Sequence, residues 1–136
     1  MYKWVRYYVV FIGCMLVCSR AYANNIAVSN VALEEIDTVA GMATIRFDVS
    51  WENSWRRTFG PPNWDAAWVF VKVKKGGGGN NSWQHVVLNA TGHTAPAGSV
   101  LSLGLANTSL AYDAATNPSV GAFVSRATNG TGTFSA

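Results

Sequence analysis

Apolar and polar positions alternate along much of this chain with a period of two, and no stretch after residue 23 carries the helical period. The cleanest case is 44–52, where Ile45, Phe47, Val49 and Trp51 fall on one face and Thr44, Arg46, Asp48, Ser50 and Glu52 on the other. That pattern predicts a half-buried antiparallel strand. Ahead of it, IAVSNVAL at 26–33 predicts a first strand, interrupted at Ser29-Asn30 by a bulge, with a turn over 34–41. After it, 53–65 holds Arg56, Arg57, Pro61, Pro62 and Trp64. It has too many breakers for regular structure and too many aromatics for a solvated linker, so it is expected to pack back on the sheet.

A further strand is expected over 67–75, with Val69, Val71 and Val73 on one face and Trp68, Phe70, Lys72 and Lys74 on the other. The Pro-rich loop is the expected cover for its aromatic end. The glycine run 76–79 with Asn80-Asn81-Ser82 reads as a flexible hairpin connection, and 83–89 as its return strand, with Val86 and Leu88 toward the core. Leu101, Leu103 and Leu105 alternate again, 120–126 forms another strand, and Asn129-Gly130 marks a hairpin before a last strand over 131–136. Seven or eight short strands separated by turn signals predict an all-β fold, an antiparallel β-sandwich.

The first 23 residues stand apart. Lys3 and Arg6 precede an apolar segment over 7–17, and Ala21-Tyr22-Ala23 forms an A-x-A cleavage site, which together read as a secretory signal peptide. The apolar segment is shorter than the roughly 18 residues of a membrane span, and nothing later is apolar enough to be one. A lipid anchor on Cys14 or Cys18 is the other reading of this segment. Val17 is bulky for such a signal at Cys18, and further apolar residues follow Cys14. The expectation is an exported chain, periplasmic, cell-surface or secreted, with one domain over 24–136. Removal of the signal changes the charge. Of ten basic residues, Lys3, Arg6 and Arg20 leave, so seven face seven acidic ones and the basic pI gives no support for nucleic-acid binding. Both cysteines leave as well, so no disulfide or thiol-based metal site is expected.

Candidate chemistry centres on the tryptophans. Trp55, Trp64, Trp68 and Trp83, set among Arg56, Arg57, Asn63 and Asp65, mix flat apolar surface with polar groups, as a carbohydrate-binding site does. The competing reading is that the indoles are core. Ligand-binding candidates are therefore Trp55, Arg57, Trp64, Asp65, Trp68 and Trp83. Glu52 and Asp65 are the only plausible carboxylate pair, and an ion pair with Arg56 or Arg57 explains them better than acid–base catalysis. His85 and His93 lack the spacing of metal ligands, and no phosphate-binding or nucleophile motif occurs. No cofactor is expected. A glycan or another protein is the expected partner class, and oligomeric state is not legible.

The segments NNIAVSNVAL, FDVSWENSWR, GPPNWDAAWVFVK, WQHVVLNATGHTAP and NGTGTFSA together resemble the N-terminal region of exported bacterial proteins that carry a downstream domain of the formylglycine-generating enzyme (sulfatase-modifying factor) family. The resemblance covers most of residues 24–136. It implies a non-catalytic accessory β module, incomplete at its C-terminus, with any catalysis in the downstream domain. No residue here matches a catalytic position of that family.

Overall fold

The computed structural model describes residues 24–74 and 82–136; the expected signal peptide and the expected glycine-rich connection lie outside them. Nine strands occur among the described residues: β1 (Ala27–Asp37), β2 (Met42–Arg57), β3 (Asn63–Trp64), β4 (Ala67–Val69), β5 (Lys72–Lys74), β6 (Trp83–His85), β7 (Ser99–Leu105), β8 (Ser119–Arg126) and β9 (Gly130–Ser135). Every pairing is antiparallel, and no helix occurs among the described residues. The fold is all-β, as the alternation predicts. Four of the nine strands span three residues or fewer, which is why the chain shows more strands than the seven or eight expected.

The first sheet is organised on β2. Ser50 pairs with Ala27 of β1 and with Ser135 of β9, so these two strands lie on opposite edges of β2. β3 joins the β1 edge through Arg56 and Arg57. The second sheet has the order β4-β8-β7, and β5 and β6 form a separate two-stranded ladder. The predicted inward face of β2 supplies the core: Val49 and Trp51 meet Phe134 of β9, Ala67 of β4 and Val124 of β8, with Phe47, Val69 and Ala136 packed around them. Trp51 and Phe134 are register partners across β2 and β9, with ring centroids 4.9 Å apart in an edge-to-face arrangement, the geometry the ring quadrupoles favour.

β-Bulges set which residues face this core. β1 carries two, between Ser29 and Ala32 and between Glu34 and Ile36, where Asn30 and Glu35 adopt positive φ of 50° and 45°. The expected bulge at Ser29-Asn30 is present. The expected turn over 34–41 is shorter, because the second bulge lets the strand continue to Asp37. A third bulge lies in β2 between Trp51 and Ser54, with Asn53 at φ 56°. One extra residue restores the phase, so Ser54 points inward after Trp51 despite the odd spacing.

Four other expectations are corrected. Residues 53–65 are not irregular throughout, since β2 runs on to Arg57 and β3 returns beside it. The strand expected over 67–75 breaks at Phe70-Val71, because β4 pairs with β8 while β5 pairs with β6. Its return partner is regular only over β6. Beyond it, Val86 N–H donates to Val71 O and Leu88 N–H to Ser119 O, and Val86 and Leu88 are half-buried. Asn129-Gly130 does not close a hairpin either: β8 and β9 belong to different sheets, so this turn carries the chain from one to the other.

Candidate functional site

The tryptophans divide between the sheets. Among the described residues only Trp51 is core, at 3% exposure, while Trp55, Trp64, Trp68 and Trp83 are all exposed. Asp65 lies between. Its Oδ2 accepts from Trp51 Nε1 at 2.7 Å, and its Oδ1 accepts from Ser54 Oγ at 3.1 Å and from the Trp55 backbone N–H at 2.9 Å. Ser54 is fully buried, and its hydroxyl also accepts from Arg126 Nε at 2.9 Å. Arg126 reaches on to the carbonyls of Gly132 and Thr133, and its own carbonyl accepts from Arg56 Nη1 at 2.7 Å. A carboxylate, a hydroxyl and a guanidinium thus tie β2, β8 and β9 together. The expected pairing of Asp65 with Arg56 or Arg57 is replaced by this network, because the bulge at Asn53 puts Ser54 on the same inward face as Trp51, where both donate to the carboxylate. Glu52 accepts from Asn25 Nδ2 instead. Asp65 is therefore a structural anchor.

The remaining candidates do not converge. Arg56 stacks over Trp64 at 4.3 Å, and Arg57 over Phe59 at 4.7 Å. Trp83 sits on the separate ladder opposite Lys74, 64% exposed. His85 lies beside Phe70, with ring centroids 5.5 Å apart, and His93 Nε2 contacts Asn89 O at 2.8 Å.

Trp68 has the most developed setting. Ala67 and Val69 point into the core, so Trp68 projects from the opposite, outer face of the second sheet. The Pro-rich loop does not cover it. The indole lies instead against two glycines of neighbouring strands, Gly104 and Gly121, themselves paired across β7 and β8. A Cβ on Gly104 would fall 2.2 Å from Trp68 Cη2 and Cζ3, and one on Gly121 would fall 2.6 Å from Cζ2. Only residues without a side chain admit the ring here. Phe123, the register partner of Trp68, stands beside it at 4.6 Å with the ring planes 51° apart. Trp68 and Phe123 remain 38% and 45% exposed, with Ser102 next to Phe123 on β7 and Val100 further along. Sequence reading found Trp68 but not Phe123, Gly104 or Gly121. The L-S-L-G-L and S-V-G-A-F patterns hold a glycine at an outward position of each strand, and that was the available signal.

The outer face is an apolar, aromatic shelf with a hydroxyl at its side. It can stack on a flat apolar surface and accept or donate one hydrogen bond. Among the described residues no helix is long and apolar enough to cross a membrane. No family model matches the chain, and neither the curated proteins nor the solved structures include a match.

Proposed function

We propose that this chain is a non-catalytic, exported interaction module whose contact surface is the outer face of the β4-β8-β7 sheet, and that it stands at the front of a larger exported protein. The observation that carries the reading is the seat of Trp68: two glycines leave room on the sheet for the edge of the indole's six-membered ring, while more than a third of the residue stays in water. Isolated exposed apolar residues are ordinary, but a contiguous aromatic patch is a feature of contact surfaces. The 51° angle between Trp68 and Phe123 suits an uneven protein surface better than an extended planar ligand. The front-module part rests on the resemblance to proteins with a downstream formylglycine-generating-type domain. Reading the coding frame past codon 136 tests it: an open frame into such a domain is expected, and a stop codon there overturns it.

A second reading is favoured by the free face of the same indole, which matches the apolar C–H face of a single sugar ring. In that case the module binds carbohydrate through Trp68, and Trp55, Trp64 and Trp83 take no part. Retention on immobilised polysaccharides, compared between the wild type and a folded Trp68→Ala variant, separates the readings. Loss of retention in the variant supports carbohydrate binding. Absence of retention by the wild type leaves protein contact.

A further inference from the structure

The apolar residues of β1 are spaced irregularly. Val28, Val31, Leu33 and Ile36 are separated by three, two and three positions, and in an uninterrupted strand this would scatter them over both faces. The bulges at Asn30-Val31 and at Glu35 correct the phase at each odd step. The register shows the result: Val28 lies opposite Val49, Leu33 opposite Ile45, and Ile36 opposite Ala43, while Val31 falls in the bulge across from Phe47. Val49, Phe47, Ile45 and Ala43 all belong to the inward face of β2. All four β1 residues therefore share the face that forms the core further along.

That face is nevertheless not covered by any described residue. Val28, Val31, Leu33 and Ile36 are 54%, 66%, 60% and 63% exposed, and Ile26, two residues ahead, is 59% exposed. The polar residues have been moved to the other side, where Arg46 pairs with Glu34 at 2.8 Å, Asn30 donates to Asp48, and Thr44 lies against Glu35. Two strained residues at positive φ serve to keep an apolar stripe on a face that the described chain leaves in water.

We propose that this stripe is the interface of a homodimer, with the β1–β2 ribbons of two copies packed face to face. Three observations select a second copy as the occupant. The stripe bears no charge, so it is complementary to itself under a two-fold axis and offers nothing to attract a charged partner. Its size is right: five such side chains expose on the order of 500 Å² per copy, which two copies raise to about 1,000 Å², where specific interfaces begin. Edge-to-edge strand addition is blocked, because the bulges interrupt the free edge of β1. The face alone is open.

Sedimentation equilibrium of the exported chain up to high-micromolar concentration tests the inference. The wild type is expected to dimerise reversibly. Leu33→Lys, at a position already largely in water, is expected to weaken dimerisation at least tenfold while circular dichroism shows the fold retained. Should that variant not fold, Ile36→Lys is read in the same way. Ala32→Lys, on the polar side, is expected to leave the dimer intact. A wild type that stays monomeric overturns the inference, as does a monomer that binds lipid vesicles through Leu33. So does a dimer that survives Leu33→Lys or Ile36→Lys but is lost in Trp68→Ala, which would place the interface on the other sheet.

Discussion

Replacing Gly104 by alanine puts the indole seat to a quantitative test. By strand propensity alone the change should help, since glycine in a strand interior costs roughly 0.5–1 kcal/mol relative to alanine. The structure predicts the reverse. The new methyl group would sit 2.2 Å from two atoms of the Trp68 ring, so the ring must leave. With 38% of Trp68 exposed, about three fifths of it is covered. For a side chain of this size that is roughly 150 Å², or about 3–4 kcal/mol at ~25 cal/mol per Å². Subtracting the propensity gain leaves a net loss of about 2–3 kcal/mol, enough to lower the melting temperature by roughly 10–20 °C in a domain of this length. A double-mutant cycle isolates the cause. Trp68→Ala should be costly in the wild type and nearly neutral in the Gly104→Ala background, giving a coupling of about 3–4 kcal/mol, since the propensity gain cancels in the cycle, from urea denaturation followed by circular dichroism. Gly121→Ala should cost more, because its methyl group would also meet the carbonyl oxygen of Val69 at 2.6 Å, which the β4–β8 ladder fixes. A neutral or stabilising Gly104→Ala with additive energies would refute the seat.

Two further outcomes are expected. Asp65→Ala leaves the indole N–H of buried Trp51 and the hydroxyl of buried Ser54 without their acceptor, and should cost about 3–4 kcal/mol at roughly 1–3 kcal/mol per orphaned group; a change below 1 kcal/mol in the urea-derived stability would contradict its anchoring role. Asp113 accepts from the backbone N–H groups of Thr116 and Ala115 at 2.8 and 2.9 Å, and these bonds from Thr116 and Ala115 hold its carboxyl below the ordinary value of 3.8. A depressed acid favours the folded loop above its unfolded pKa and loses that contribution as pH falls through the folded one. The amide resonances of Ala115 and Thr116 should therefore titrate together with a midpoint below 3.8, and a midpoint at or above that value would refute the contact.

The legible part of the fold was the part governed by alternation. Ile45, Phe47, Val49 and Trp51 announce the inward face of β2, and Val49 and Trp51 are the centre of the core. What alternation does not carry is which strands pair. Nothing at Phe70-Val71 breaks a strand chemically, yet the chain changes sheets there, because β8 takes β4 as a partner and leaves β5 to β6. Asn129-Gly130 has hairpin composition, but a turn of that composition can equally pass between sheets. At the candidate site the tryptophans were visible and their surroundings were not. Trp68 gains its setting from Gly104, Gly121 and Phe123, 36 to 55 positions away, and only strand pairing brings them beneath and beside it. From sequence Asp65 reads as half of an ion pair with Arg56 or Arg57, because the bulge at Asn53 that brings Ser54 to it is concealed by three polar residues in a row.

The clasp between Ser54 and Arg126 spans 72 positions, and β9, which closes the edge of β2 beside Trp51, comes later still. A chain made from its N-terminus therefore carries an unfinished sheet until β9 has been made. The β1–β2 ribbon can form early and the β7–β8 hairpin soon after residue 126, but the aromatic pair at the centre must wait for Phe134. Folding of this kind is slow, since distant segments must meet before their contacts repay the lost chain freedom. During that interval the bare edge of β2 and the apolar stripe are both available to other chains. The last six-residue strand is thus also a timer: it sets how long the chain must be kept apart from its neighbours.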